Sequence, residues 1–439
     1  MMKYFYFPLI LLFIARTATA QDIDKIITKD YVDNLIKTLS SDDMQGRATF
    51  SPGIDKAATF IEGEFKKIGL KPLAGATDYR QTFYKYQLKP VSSVVSVNGK
   101  EIPADEIVVL GNTSENLSFD HTNADGWIKF DPSKPFREQY RNSLRDKKRR
   151  IVLIDPKFKA EFTQLRNFAA GGSVLDEKDL KVTAPVASVF ILSADTAVTE
   201  FKVALKNSVK KLPLFNVAGI IPGKSKAKEL VIFSGHYDHL GILAPDATQD
   251  SIANGADDDA SGTTAMIALA KYYKKLNNNE RTLIFVAFTA EEIGGFGARY
   301  FSQQLNPDDV VAMFNIEMIG KESKFGKNTA FITGYEKSDF GKILQKNLEG
   351  SVFTFHPDPY LQQNLFYRSD NATLAALGVP AHTISTDQID IDKLYHTVKD
   401  EYSSLDTDNI LSTIKAIAKS AITIVKGTDT PTRIPKLTN

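Results

Sequence analysis

The chain has 439 residues, 43% of them hydrophobic, and a formal charge of +1. That length allows one large domain with an insertion. The apolar content excludes a disordered chain, and the near-neutral charge gives no attraction to nucleic acid or an anionic membrane. Cysteine is absent, which excludes disulfides, thiolate metal sites and cysteine nucleophiles.

In chain order, Lys3, the apolar run Tyr4–Ala15 and the small residues Ala18 and Ala20 before Gln21 predict an export signal cleaved after Ala20. The run is short for a bilayer span. A secreted or periplasmic protein with no stable membrane insertion after cleavage is therefore expected. Thr28–Leu39 and Gly53–Ile68 carry helical spacing, with Ile61, Phe65 and Ile68 on one face and Gly69–Pro72 as the stop. From 84 to 214, short β-rich pieces alternate with polar loops and the charged patch Arg137–Arg150. This stretch is expected to be an inserted accessory domain, protease-associated-like in kind.

From Phe215 the pattern becomes α/β. Strands are predicted at Glu229–Ser234, Thr282–Thr289, Val310–Ile316, Thr329–Thr333 and Ala381–Ser385. Helices are predicted from Ser261 to about Leu276, at Phe296–Leu305 and at Thr407–Lys426. The fold class is α/β: a mixed, mostly parallel sheet covered by helices on both faces, interrupted by the β-rich insertion. Residues 21–83 and 215–427 form the discontinuous main domain, and 428–439 a flexible tail.

Several of these strands end in groups that bind hard or borderline cations. His236-Tyr-Asp238 closes one, with Asp238 spaced to accept the second ring N–H of His236. His239 is nearby and reads as a surface or structural histidine. Asp257-Asp-Asp259 precedes a helix; three adjacent carboxylates repel, and a cation bridging one of them relieves the conflict. Glu291 and Glu292 follow a buried strand and point in different directions, which suits one to hold metal and the other to take a proton from a water. Glu317 ends another apolar strand, where an unpartnered carboxylate is costly. Tyr395-His396 supplies a second imidazole.

Taken together, in this order, these segments resemble the secreted di-zinc aminopeptidases, the group that also holds glutamate carboxypeptidases and glutaminyl cyclases. The opening segment Leu39–Arg47 and Ser51-Pro-Gly53 belong to the same resemblance. It implies two zinc ions, with His236, Asp258, Glu292, Glu317 and His396 as ligands and Asp258 bridging. It implies that Asp238 orients His236, that Glu291 is the general base to a metal-bridged hydroxide, and that Tyr395 donates to the developing oxyanion. It also implies a cis bond between Asp258 and Asp259. Two positions depart from the pattern. Asn371 stands where histidine is usual, and Glu317 where aspartate is usual, its extra methylene moving the carboxylate by ~1.5 Å. The expected activity is removal of N-terminal residues from peptides. The alternatives are a cyclotransferase acting on N-terminal glutamine and a catalytically inactive binding module. Arg368, beside Ser369-Asp370, is a candidate for recognising a substrate carboxylate, or else a structural ion-pair partner.

Overall fold

The computed structural model describes residues 23–437, apart from 112–115, 181–185 and 196. The export signal expected over 1–20 lies outside the described residues. The chain divides into two compact units, one of the residues up to Gln81 together with those from Asn216 on, the other Thr82–Phe215.

In the first unit, four parallel strands form the centre of a sheet, in the order Ala381–Ser385, Val310–Ile316, Lys226–His236 and Arg281–Phe288. Thr329–Ile332 pairs antiparallel to Ala381–Ser385 and carries Thr354–Pro357 beside it. On the other side the end of Phe201–Ile221 pairs antiparallel to Arg281–Phe288. The strands at 281–288 and 310–316 are buried at every position, as a parallel sheet covered on both faces requires.

Alternate residues serve the two faces. Phe233 stacks on Phe285 and Phe314 and meets Tyr273 of the helix Gly262–Leu276. Ile232, Ile284 and Met313 face the other way, into a cluster with Phe301 and Leu374 from the helices Phe296–Gln303 and Asn371–Ala376. Because the central strands are parallel, their carboxyl ends lie along one edge. There His236, Glu291 and Glu317 emerge.

Some boundaries differ from the sequence expectation. The closing helix stops at Ser420 and a separate turn follows at Ile422–Val425. The stretch from 428, expected as a loose tail, has no regular element but is held in place as far as it is described. Ile434 is buried, its amide donates to Gly378, and that of Leu437 donates to Ala376. Buried Arg281 also donates to the Asp429 carbonyl. One apolar side chain and the backbone's own donors suffice to dock a segment with no amphipathic period.

The second unit is β-rich, as its sequence suggests, and it also holds helices that the sequence reading did not include. Its four-stranded sheet, Ile107–Gly111, Ala187–Leu192, Arg149–Ile154 and Trp127–Lys129, carries two helices, Phe136–Arg145 and Lys159–Ala170. Most of the charged patch lies on the outer face of the first helix, while Arg150 is buried in the strand that follows. Phe136 and Tyr140, four residues apart, pack inward with Phe158 and Phe162. Among the described residues no helix is long and apolar enough to cross a membrane.

His382 lies fully buried in a central strand, Nδ1 against the Thr333 carbonyl and Nε2 2.7 Å from Ser338 Oγ. Burial pushes its pKa down to about 4. An unfolded histidine titrates near ~6.5, so acid protonates the unfolded chain first. The stabilisation is full above about pH 6.5 and is lost as pH falls towards 4. Between pH 7 and 4.5, metal-free protein should lose about 2 kcal/mol more than a His382→Gln variant does. Urea midpoints at the two pH values measure this; equal losses would show that His382 does not set the acid limb.

Candidate metal centre

His236 ends its strand, fully buried, with Nδ1 3.1 Å from the backbone carbonyl of Asp238. The Asp238 carboxylate is further away, at 3.9 Å. This corrects the sequence expectation: the tautomer of His236 is fixed by the carbonyl of Asp238, not its side chain. The Asp238 carboxylate instead accepts from the amides of Glu291 at 3.1 Å and Glu292 at 3.3 Å. It thus aims both glutamates. With Nδ1 occupied as a donor, Nε2 of His236 carries the free lone pair.

That nitrogen lies 3.1 Å from Asp258 Oδ1 and 4.0 Å from Glu317 Oε1. The nearest ligand atoms of His236, Asp258 and Glu317 are all within 4.8 Å of one another. The longer Glu317 side chain therefore still reaches the group. On the other side of Asp258, Oδ2 is 3.2 Å from His396 Nε2, which is also 3.1 Å from Glu292 Oε2. His239 joins this second group, with Nδ1 2.8 Å from Glu292 Oε1 and 3.7 Å from Asp258 Oδ2. It is buried, not a surface residue. Gly255, at φ +54°, leaves room for its ring; a Cβ there would come within 2.6 Å of it.

The loop bearing Asp258 is fixed from three sides. Asp259 accepts from the amides of His236, Gly262 and Met318. Asp257 accepts from the Gly320 amide. Asp400 accepts from the amides of Asp257 and Asp258 at 2.9 and 3.0 Å. Only the middle carboxylate of the triplet is left for the centre, and the Asp258–Asp259 bond is cis. Arg47 reaches the same loops from the amino-terminal segment, donating to the carbonyls of Tyr237, Asn254 and Gly255. Its place in the quoted opening segment was a signal; Asp400 and the role of His239 had none. Asn371 is buried at the base of the site. Its amide donates to the Phe366 and Ala381 carbonyls, and its oxygen accepts from Thr383. It is a brace between the Phe366 turn and the strand Ala381–Ser385.

The electrostatics match the geometry. Burial alone would raise Asp258, but His236 and His396 outweigh it and hold it well below the usual carboxylate value. Burial would lower His396, but Asp258 and Glu292 raise it to about 10. Burial pushes Glu291 well up, helped by Glu317 and Asp370 against the pull of His236. Nε2 of His236 is buried with no hydrogen-bond partner among the described residues. Buried imidazole lone pairs converging on carboxylate oxygens are a mixed nitrogen–oxygen donor set, which fits zinc. Tyr395 stacks on His396 at 3.8 Å between ring centroids. Arg368 lines the adjoining cavity.

Comparison with known proteins agrees with this arrangement. Residues 216–421 match the model of Peptidase family M28. Leucine aminopeptidase 1 of Ajellomyces capsulatus (strain H88) is 26% identical over 215 residues, 46% of this chain and 54% of that protein. Leucine aminopeptidase 1 of Leptosphaeria maculans is 29% identical over 227 residues, 47% and 56%. The chain spans about half the length of the curated relatives it matches. The fold is shared with an aminopeptidase from Aneurinibacillus sp. strain AM-1, at TM-score 0.55 and 19% identity over 95% of this chain and 97% of that one. A zinc aminopeptidase from Bacillus subtilis gives 0.54 and 17% over 92% and 97%. Both carboxylate–imidazole groups lie within the segment that matches the model of Peptidase family M28.

Proposed function

We propose that the chain is an exported aminopeptidase that removes N-terminal residues from peptides. The observation that carries this reading is the pair of ligand groups sharing Asp258, one oxygen turned to each. His236, Asp258 and Glu317 would hold one zinc ion, and Asp258, Glu292 and His396 the other. Bound there, zinc supplies a Lewis acid for the scissile carbonyl and lowers the pKa of water.

The remaining chemistry belongs to the chain. His239 donates to Glu292 and fixes its orientation. Glu291 belongs to neither ligand group, and its raised affinity for protons suits it to take one from the attacking water and pass it to the leaving amine. Burial raises Tyr395 as well, so its hydroxyl keeps its proton at neutral pH and can donate to the oxyanion. Residues 1–20 would direct export and be removed after Ala20.

Purified protein should contain about two zinc ions per chain and release nitroaniline from aminoacyl-nitroanilides. A chelator should abolish turnover and added zinc restore it. One metal or none, with no turnover of any substrate, would turn the reading towards the cyclotransferase or the binding module.

A further inference from the structure

A cavity opens beside the metal centre. Asp258, Glu291 and His396 line one end, and Phe331, Leu365 and Ile389 give it apolar walls. One lining residue does not fit an apolar pocket. Asp387 is only 3% exposed, and its carboxylate oxygens meet no donor among the described residues other than a proton shared with Asp392. A buried acceptor left without a donor is costly.

The groups behind Asp387 do not relieve it. Its nearest titratable neighbours are Asp257 and Asp392, with ligand atoms within 4.8 Å. The one ammonium there among the described residues, Lys321, is already shared between Asp257 at 3.3 Å and Asp392 at 2.5 Å. Three carboxylates against one ammonium leave an excess of two negative charges at the cavity wall. Burial and the two aspartates push Asp387 up to about 8; the excess can be met by a proton or by a cation arriving from the cavity. Arg368, the basic residue of the lining, is exposed and screened by solvent.

Resting on the aminopeptidase reading, we propose that this cavity selects N-terminal lysine or arginine, with Asp387 receiving the substrate's side-chain cation. A lysyl or arginyl side chain has what the cavity lacks. Its methylene stem can lie along Phe331, Leu365 and Ile389 while its charged end reaches the wall carboxylate. A desolvated, charge-assisted hydrogen bond of this kind is worth about 10- to 100-fold in discrimination.

The test compares lysyl- and norleucyl-nitroanilide, which share the same four-carbon stem and differ in the terminal ammonium. Zinc-loaded full-length protein should show a lysyl to norleucyl ratio of kcat/KM of at least about ten, and Asp387→Asn should lower that ratio about 10-fold or more. The ratio is insensitive to a general loss of folded enzyme. As a measurement independent of turnover, free L-lysine should bind the wild-type protein more tightly than L-norleucine by calorimetry. A norleucyl preference, or an unchanged ratio in the variant, overturns the proposal while leaving the aminopeptidase reading standing. So does a third metal ion per chain lost on Asp387→Asn. Failure of both substrates, with neither amino acid bound, overturns the two together.

Discussion

Glu291→Gln should lower kcat by about a thousand-fold while leaving zinc content and the melting temperature near those of the wild type. Glutamine keeps the shape of the side chain, and the backbone amide of residue 291 keeps its bond to Asp238. What disappears is a group able to accept a proton. Glu291 belongs to neither ligand group, so the metal should stay when the carboxylate goes. Glu292→Gln differs, because Glu292 touches both His239 and His396; that variant should lose metal as well as rate. Steady-state kinetics paired with metal analysis separates the two. A Glu291→Gln enzyme that turns over normally would remove Glu291 from the proton pathway, and one that loses zinc would make it a ligand.

Arg47→Met should destabilise the protein by about 4 kcal/mol and weaken its hold on zinc. Arg47 is fully buried, and its guanidinium donates to the carbonyls of Leu39, Tyr237, Asn254 and Gly255 at 2.5–2.9 Å. Methionine fills much of the volume but offers no donor, so these carbonyls would be left buried without partners. Three of them belong to the residues that flank His236 and the Asp258 loop. Arg47→Lys keeps the charge, but a point ammonium cannot serve carbonyls on every side of a planar fork, so it should fall between the two. Urea midpoints and zinc competition with a chromophoric chelator measure both effects. A Met variant within about 1 kcal/mol of wild type would mean that the loops hold their own shape.

The parts of this architecture that were legible in the sequence are those written in local periodicity. Runs such as Leu283–Phe288 and Val310–Ile316 are apolar at successive positions because both faces of the sheet are covered, and the polar residue ending each run marks the edge where the site assembles. The groups that hold those residues in place were not legible. Asp400 grips the Asp258 loop across more than a hundred residues of chain, and nothing in its own neighbourhood announces that. Residue spacing also identified Asp238 as the partner of His236 but not which of its atoms, since a carbonyl and a carboxylate on one residue have the same position in sequence. The helix at Phe136–Arg145 was missed because its outward charges outnumber the inward aromatics. Asn371 shows the converse: a departure from a family pattern whose meaning became clear once its three hydrogen bonds were seen.

The span of the Arg47 contacts also dictates when the metal centre can form. Three of the carbonyls it grips lie 190 to 208 residues downstream, and Asp400 and His396 stand near the far end of the chain. Contacts of such long sequence separation form late and slowly, because the polymer between them must first surrender its freedom. A growing chain still on the ribosome, or one being threaded through a narrow channel, therefore has neither of its two pockets for metal. Loading with zinc therefore has to follow completion of the chain.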